Sequence, residues 1–217
     1  MRLSLSFSFL SLFVLAIKAQ DRDLGVVKRA FEAADIPADL SLNFNPTALL
    51  EVTFPESDGN DITIHAGQQV PRDSTAGPPI YHAVGLRSSG PFVITMVDPD
   101  APTPQMPTVA QERHFLGGDF HLDRTGRLIN STAGIDEFLQ PSPPAGSDAH
   151  RYIFMLWNQP RGFDQQTVVG ADTPRGSFNF LAGYAAKEIS EPRRASEELS
   201  VISLIAESVG KKVSFGN

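Results

Sequence analysis

The residues best suited to chemistry stand where stiff, proline-containing loops meet short apolar runs. Asp98 follows the apolar run 92–97 and is itself followed by two closely spaced prolines, and His114 comes a short loop later. His150 repeats this arrangement, because it lies between another proline-rich turn and the apolar run 153–157. Acid and imidazole side chains at the mouths of buried strands are typical of a small polar pocket.

The apolar runs themselves predict the strands that would position this pocket. Residues 92–97 and 153–157 are almost continuously apolar, which is typical of strands buried on both faces. Proline removes a ladder donor, so the first strand is expected to end at Asp98. Alternation over 50–54 and 62–64 predicts two further strands, whereas the polar segment 70–79 predicts a loop.

Three segments predict helices around the strands. Residues 23–35 carry apolar side chains in an i, i+3, i+7 pattern, and Pro37 is expected to end that helix. A short helix is expected at roughly 179–186. The segment 197–209 carries an apolar stripe, with acidic residues at its start and Gly210 after its end, and so predicts another helix.

The loop and strand motifs resemble a known family. Segments 98–102 (DPDAP), 113–116 (RHFL) and 143–152 (PPAGSDAHRY) are similar, in order and separation, to the signature regions of the phosphatidylethanolamine-binding protein family. Segment 173–178 (TPRGSF) resembles that family's arginine-containing loop. The family includes Raf kinase inhibitor protein and inhibitors of the serine carboxypeptidase called carboxypeptidase Y. The resemblance implies a mostly β fold, an antiparallel β-sheet sandwich with flanking α-helices.

The resemblance also implies a pocket for a small anion, such as the phosphate of a phospholipid headgroup. Its binding residues would be Asp98, His114, His150 and Tyr152, with a rim of Asp100, Pro102, Pro143 and Gly146. Asp98 would accept a hydrogen bond from an imidazole and fix its tautomer. A neighbouring carboxylate is also expected to raise the pKa of a histidine above ~6.5. The alternative interpretation is that both histidines are hydrogen-bonded core residues.

The resemblance is incomplete just before His114. Family members often carry aromatic side chains there, which form a wall of the pocket, whereas this chain has Val109, Gln111, Glu112 and Arg113. Glu112 is expected to repel a phosphate, and Arg113 is expected to offset that repulsion.

Length, charge and the N-terminal residues bound the remaining possibilities. The 217 residues allow one sizeable core, and the formal net charge of −7 argues against nucleic-acid binding or adsorption to anionic membranes. Residues 1–19 predict a secretory signal peptide, since the apolar run is short for a membrane anchor and contains several serines. Residues 20–217 would then form one secreted or vacuolar domain without disulfides, because the chain has no cysteine. Asn130 begins a glycosylation sequon.

Three classes of function are compatible with these features. We expect a non-catalytic protein that binds phosphate-bearing ligands and regulates a partner protein, without a cofactor. The alternative is an inhibitor of a carboxypeptidase Y-type serine carboxypeptidase, acting through its N-terminus or a surface loop. A hydrolase using Asp98 and a histidine is less favoured, since the chain has no Gly-x-Ser-x-Gly motif. Asp98 and Asp100 with two histidines could hold a metal, but the flanking prolines restrict that geometry, and no metal is expected.

Overall fold

The computed structural model describes residues 23–170, residues 172–179 and the backbone of residues 201–210. Two helices come first, α1 (Leu24–Ala33) and α2 (Ile36–Asp39). Among the described residues nine strands follow, namely β1 (Leu49–Phe54), β2 (Ile62–Thr63), β3 (Gln69–Pro71), β4 (Ile80–Val84), β5 (Phe92–Asp98), β6 (Glu112–Leu122), β7 (Arg127–Asn130), β8 (His150–Asn158) and β9 (Val201–Gly210). Short 3₁₀ turns occupy Arg72–Thr75 and Phe163–Gln165.

The strands form one mostly antiparallel sheet that curls over on itself. Its order is β2-β1-β4-β7-β6-β5-β8-β9-β3, and β3 with β9 is the parallel pair among the described strands. Although β1 and β9 stand far apart in this order, they contact each other. The two ends of the sheet therefore face each other as two layers. The predicted mostly β fold, an antiparallel β-sheet sandwich with flanking α-helices, is confirmed.

Alternation along the central strands divides the core between two layers. On β8, Phe154 and Leu156 face the space between the two halves of the sheet, where Phe154 meets Phe54 and Tyr81 at ring-centroid distances of 6.4 and 6.2 Å. The alternate side chains of β8, including Trp157, face outward and pack under the helices. Both faces of β5 are buried by this arrangement, as its continuously apolar sequence predicts.

The N-terminal helices cover the outer face of the sheet. Val27 and Phe31 of α1 lie on one side of the helix and are buried against the outer core. The side chain of Asp23 caps α1 by accepting from the N–H of Gly25 at 2.6 Å. Helix α1 ends at Ala33, before Pro37, and Asp35, between the helices, has a left-handed backbone with φ of 55°. Pro37 lies in the first turn of α2, where its missing N–H costs nothing.

Two predictions about secondary structure are wrong. The segment 70–79 is not wholly loop, because its first residues belong to β3 and to a 3₁₀ turn. Residues 201–209 of the predicted helix 197–209 form β9, which pairs with β8 in the register Ile153↔Ala206. The run VISLIAESV is rich in β-branched residues, and pairing it with β8 covers an otherwise free sheet edge.

Several predictions concern residues outside those described. They are the signal peptide at 1–19, the short helix at 179–186 beyond Asn179, and the start of the segment 197–209. Within the described part of the chain, no helix is both long enough and apolar enough to span a bilayer.

Candidate functional site

Asp98 and His150 meet at the adjacent ends of two central strands. Asp98 is the last residue of β5 and His150 the first of β8, and the two strands are antiparallel neighbours. His150 Nδ1 donates to Asp98 Oδ2 at 2.8 Å, and the other carboxylate oxygen accepts from the N–H of Asp100 at 2.7 Å. Ser147 Oγ lies 2.9 Å from His150 Nε2. Since Nδ1 carries the proton of the neutral ring, Nε2 accepts from the serine hydroxyl.

His114 and Tyr152 complete the cluster. The ring of Tyr152 stands nearly perpendicular to that of His114, with centroids 5.0 Å apart, and is stacked on His150 at 6.3 Å. His114 Nδ1 donates to the carbonyl oxygen of Leu139 at 3.0 Å. Its Nε2 is buried and has no hydrogen-bond partner. The structure therefore brings together Asp98, His114, His150 and Tyr152, and each is 1–3% exposed.

Burial sets the protonation of two of these groups. It lowers the pKa of His114, although the Leu139 carbonyl and the charges of Asp98 and Glu112 act in the opposite direction. The expectation that a carboxylate would raise the pKa of the histidines is therefore wrong for His114, because desolvation of the imidazolium costs more than the carboxylates return. Burial and the charge of Asp98 raise the pKa of the Tyr152 hydroxyl, which stays protonated.

The residues expected at the rim have different surroundings. Asp100 is buried and forms a two-point ion pair with Arg151, at 2.7 Å to Nη2 and 3.0 Å to Nε. Arg151 also contacts Asp39 of α2, so this pair fixes the loop after β5 against the helices. Pro102 and Gly146 are exposed and Pro143 is half-buried. Gly146 has a backbone φ of 89°, a conformation that residues other than glycine rarely adopt.

Glu112 and Arg113 point to opposite sides of β6. The carboxylate of Glu112 lies 3.9 Å from His114 Nε2, on the side of the cluster. Arg113 is buried on the other side, where it pairs with Asp136 and lies 4.9 Å over the ring of Phe178. The expectation that Arg113 offsets the charge of Glu112 is therefore wrong. Strand alternation, applied to residues 112–114, would have placed Glu112 beside the histidine.

Three groups in the cluster could hold a metal ion. One ligand atom from each of Asp98, Glu112 and His114 lies within 4.8 Å of the other two. Asp100, which the sequence offered as a metal ligand, turns its oxygens toward Arg151 instead.

The hydrogen bonds Ser147–His150–Asp98 follow the order of a Ser-His-Asp triad. In such triads, backbone N–H groups near the serine stabilise the oxyanion that forms. Here the N–H of Ser147 donates to the carbonyl oxygen of Pro144 at 3.0 Å. That turn holds the loop and the His150 ring in place, and the serine's own amide does not point at a developing oxyanion.

A cavity is present whose lining residues are other than those of the cluster. Its volume is about 380 Å³, and its floor is aromatic, with Tyr81, Phe115 and Phe138 among the lining residues. Asn130, the first residue of the sequon, lies at the exposed end of β7 and also lines this cavity. None of the four cluster residues lines it.

The chain is similar in sequence to several known proteins. The family model described as phosphatidylethanolamine-binding protein matches residues 55–194. A carboxypeptidase Y inhibitor of Saccharomyces cerevisiae is 26% identical over 149 residues, covering 56% of this chain and 67% of the relative. The protein BROTHER of FT and TFL 1 of Arabidopsis thaliana is 28% identical, covering 69% and 77%.

Solved structures show the same fold. Carboxypeptidase Y inhibitor, complexed with its cognate proteinase, superposes with a TM-score of 0.66 at 20% identity, covering 90% of this chain and 99% of that one. A phosphatidylethanolamine-binding protein from Plasmodium vivax gives a TM-score of 0.62 at 16% identity, covering 85% and 97%.

Proposed function

The chain belongs to the phosphatidylethanolamine-binding protein family, and we propose that it is a non-catalytic binding protein whose cluster accepts a phosphate monoester. The ligand class is a phosphorylated small molecule or a phospholipid headgroup. Binding would be coupled to regulation of a partner protein.

One observation carries this proposal, namely the buried and unpartnered Nε2 of His114, whose ring lies against the ring of Tyr152. A buried polar atom without a partner costs about 1–3 kcal/mol, so a ligand that satisfies it gains that free energy. The ring donates through Nδ1, and Nε2 of the neutral ring therefore accepts. A phosphate monoanion offers a P–O–H hydrogen to Nε2, and its other oxygens accept from donors such as the Tyr152 hydroxyl.

Calorimetric titration with phosphoethanolamine and with inorganic phosphate tests the proposal and distinguishes a headgroup from free phosphate. We expect His114→Gln and Tyr152→Phe each to weaken binding about tenfold, the effect of losing roughly 1.4 kcal/mol. His121→Gln, at an exposed histidine of β6, is the matched control and should bind like the wild type. Equal affinities across these variants would refute a phosphate site here. Ester turnover that is lost in Ser147→Ala would replace this proposal with the hydrolase.

A second candidate is inhibition of a serine carboxypeptidase. The chain is 26% identical to a carboxypeptidase Y inhibitor, and it shares the fold of such an inhibitor solved in complex with its proteinase. These similarities favour this candidate. The contact would use the N-terminus or a surface loop, so the buried cluster would not take part.

Titration of carboxypeptidase Y with the full chain tests this candidate. If the contact lies outside the cluster, Tyr152→Phe should inhibit as strongly as the wild type while binding phosphate more weakly. Unchanged peptidase activity at a large excess of the chain would exclude inhibition of this enzyme. Inhibition lost in Tyr152→Phe would place the contact at the cluster.

We also propose that the chain enters the secretory route, because of the leader-like residues 1–19 and the exposed sequon at Asn130. Expression in a eukaryotic secretory host should give medium protein that lacks the leader. Any glycan should disappear in Thr132→Ala, which destroys the sequon. Mass spectrometry showing secreted protein with an intact leader would contradict the signal-peptide assignment.

A further inference from the structure

We propose that Asp98, Glu112 and His114 bind a divalent metal ion of the zinc or manganese type. One ligand atom from each residue lies within 4.8 Å of the other two. One imidazole nitrogen with two carboxylates is a donor set that such ions accept, leaving further positions for water or a ligand. The inference stands on these three residues and does not require the phosphate proposal.

The tautomer of His114 suits a metal ligand. Because Nδ1 donates to the Leu139 carbonyl, the lone pair of the neutral ring is on Nε2. That atom is buried and has no hydrogen-bond partner, and it faces the Glu112 carboxylate at 3.9 Å. Metal-binding histidines are commonly oriented by a hydrogen bond from the second ring nitrogen to a carbonyl or carboxylate.

The carboxylates provide one fixed and one adjustable ligand. Asp98 is oriented by His150 and by the N–H of Asp100, and further lone pairs on its oxygens remain available. Glu112 has a side chain about one-third exposed (34%), so its rotamer can change. Ligand atoms around a tetrahedral ion with bonds of ~2.1 Å lie ~3.4 Å apart. Some ligand atoms must therefore come closer by up to about 1.4 Å, and a change in the Glu112 rotamer contributes to that movement.

The local charge favours a cation. Asp98 and Glu112 bring two negative charges to one small site, and the nearby arginines are engaged elsewhere. Arg175, whose charge acts on His114, pairs with Asp136 and donates to backbone carbonyl oxygens. Arg151 pairs with Asp100, and Arg113 pairs with Asp136 on the opposite side of β6. A divalent ion would neutralise the two carboxylates, and it would also attract a phosphate that they otherwise repel.

Calorimetry with ZnCl₂ and MnCl₂ tests the site, using the full chain without a histidine tag in phosphate-free buffer. We expect one specific site, weakened at least about tenfold in Glu112→Gln by loss of one ligand. Glu51→Gln, at a half-buried glutamate of β1, is the matched control and should bind like the wild type. With Zn²⁺, the ¹⁵N resonance of His114 Nε2 should shift, whereas Nδ1 should keep its proton.

Three results would overturn the inference: no binding of either ion, equal affinity in Glu112→Gln and the wild type, or an unchanged His114 Nε2 resonance at saturating Zn²⁺. A parallel titration with phosphoethanolamine in EDTA separates the two proposals. Phosphate binding in EDTA without any zinc binding would refute the metal site and keep the phosphate site. Zinc binding with no phosphate binding, whether or not zinc is present, would refute the phosphate site and keep the metal site.

Discussion

Replacing Asp98 with asparagine changes one atom in the most buried hydrogen-bond network of the site. Asp98 accepts from His150 Nδ1 and from the N–H of Asp100, at 2.8 and 2.7 Å, and is 1% exposed. An asparagine has one carbonyl oxygen and one NH₂ group, so it can accept at only one of these positions. With the oxygen facing Asp100, the NH₂ faces His150. His150 must then carry its proton on Nε2 and donate to Ser147.

The cost follows from the kind of hydrogen bond that is lost. Both bonds to Asp98 are charge-assisted, worth about 1.5–3 kcal/mol each, against about 1 kcal/mol for a neutral bond. Two such exchanges predict that Asp98→Asn destabilises the fold by about 2 kcal/mol. With an m-value near 2 kcal/mol/M, the urea midpoint should fall by about 1 M.

Equilibrium urea unfolding gives the stability, and long-range ¹H–¹⁵N NMR gives the tautomer of His150. Asp73→Asn is the matched control, since Asp73 is exposed on the 3₁₀ turn after β3, and its midpoint should stay close to the wild type. An Asp98→Asn variant within about 0.5 kcal/mol of the wild type, with His150 still protonated on Nδ1, would refute this description of the network.

Three further predictions concern Arg151, His114 and the pairing of β3 with β9. Arg151→Lys should cost about 1–2 kcal/mol in urea unfolding, since lysine cannot form the two-point pair with Asp100, whereas Arg161→Lys at an exposed position should be neutral. The pKa of His114 is lowered in the folded state, so the unfolded state, titrating near ~6.5, binds more protons as the pH falls. Stability should therefore decline below about pH 6.5, and less steeply in His114→Gln; identical slopes would contradict this. Since the chain has no cysteine, Gln69→Cys with Ser208→Cys should form a disulfide on oxidation, and Gln69→Cys with Leu204→Cys should not, if β3 and β9 pair in the observed register.

The site could be predicted where strand ends determined it. Asp98 follows one apolar run and His150 precedes another, so the sequence places both at the ends of buried strands. In the structure these two strands are neighbours. The ion pair between Arg151 and Asp100 could not be predicted from local sequence. The partners of Arg151, Asp100 and Asp39, are both far from it in the sequence. The same limitation explains β9. The apolar positions of β9 fit both the period of a helix and the alternation of a strand, and pairing with β8 selects the strand.

The register of β6 determines how the chemistry of the cluster departs from that implied by the family resemblance. Glu112 and His114 are two residues apart on one strand, so both face Asp98, while Arg113 between them is turned toward Asp136. A carboxylate thus stands where the family resemblance implies an aromatic wall, and the nearest cation in the sequence is held on the opposite face. Two carboxylates beside a neutral imidazole bind a bare phosphate dianion poorly and a divalent cation well. A phosphate ligand in this pocket must therefore bring a proton or be bound together with a metal ion.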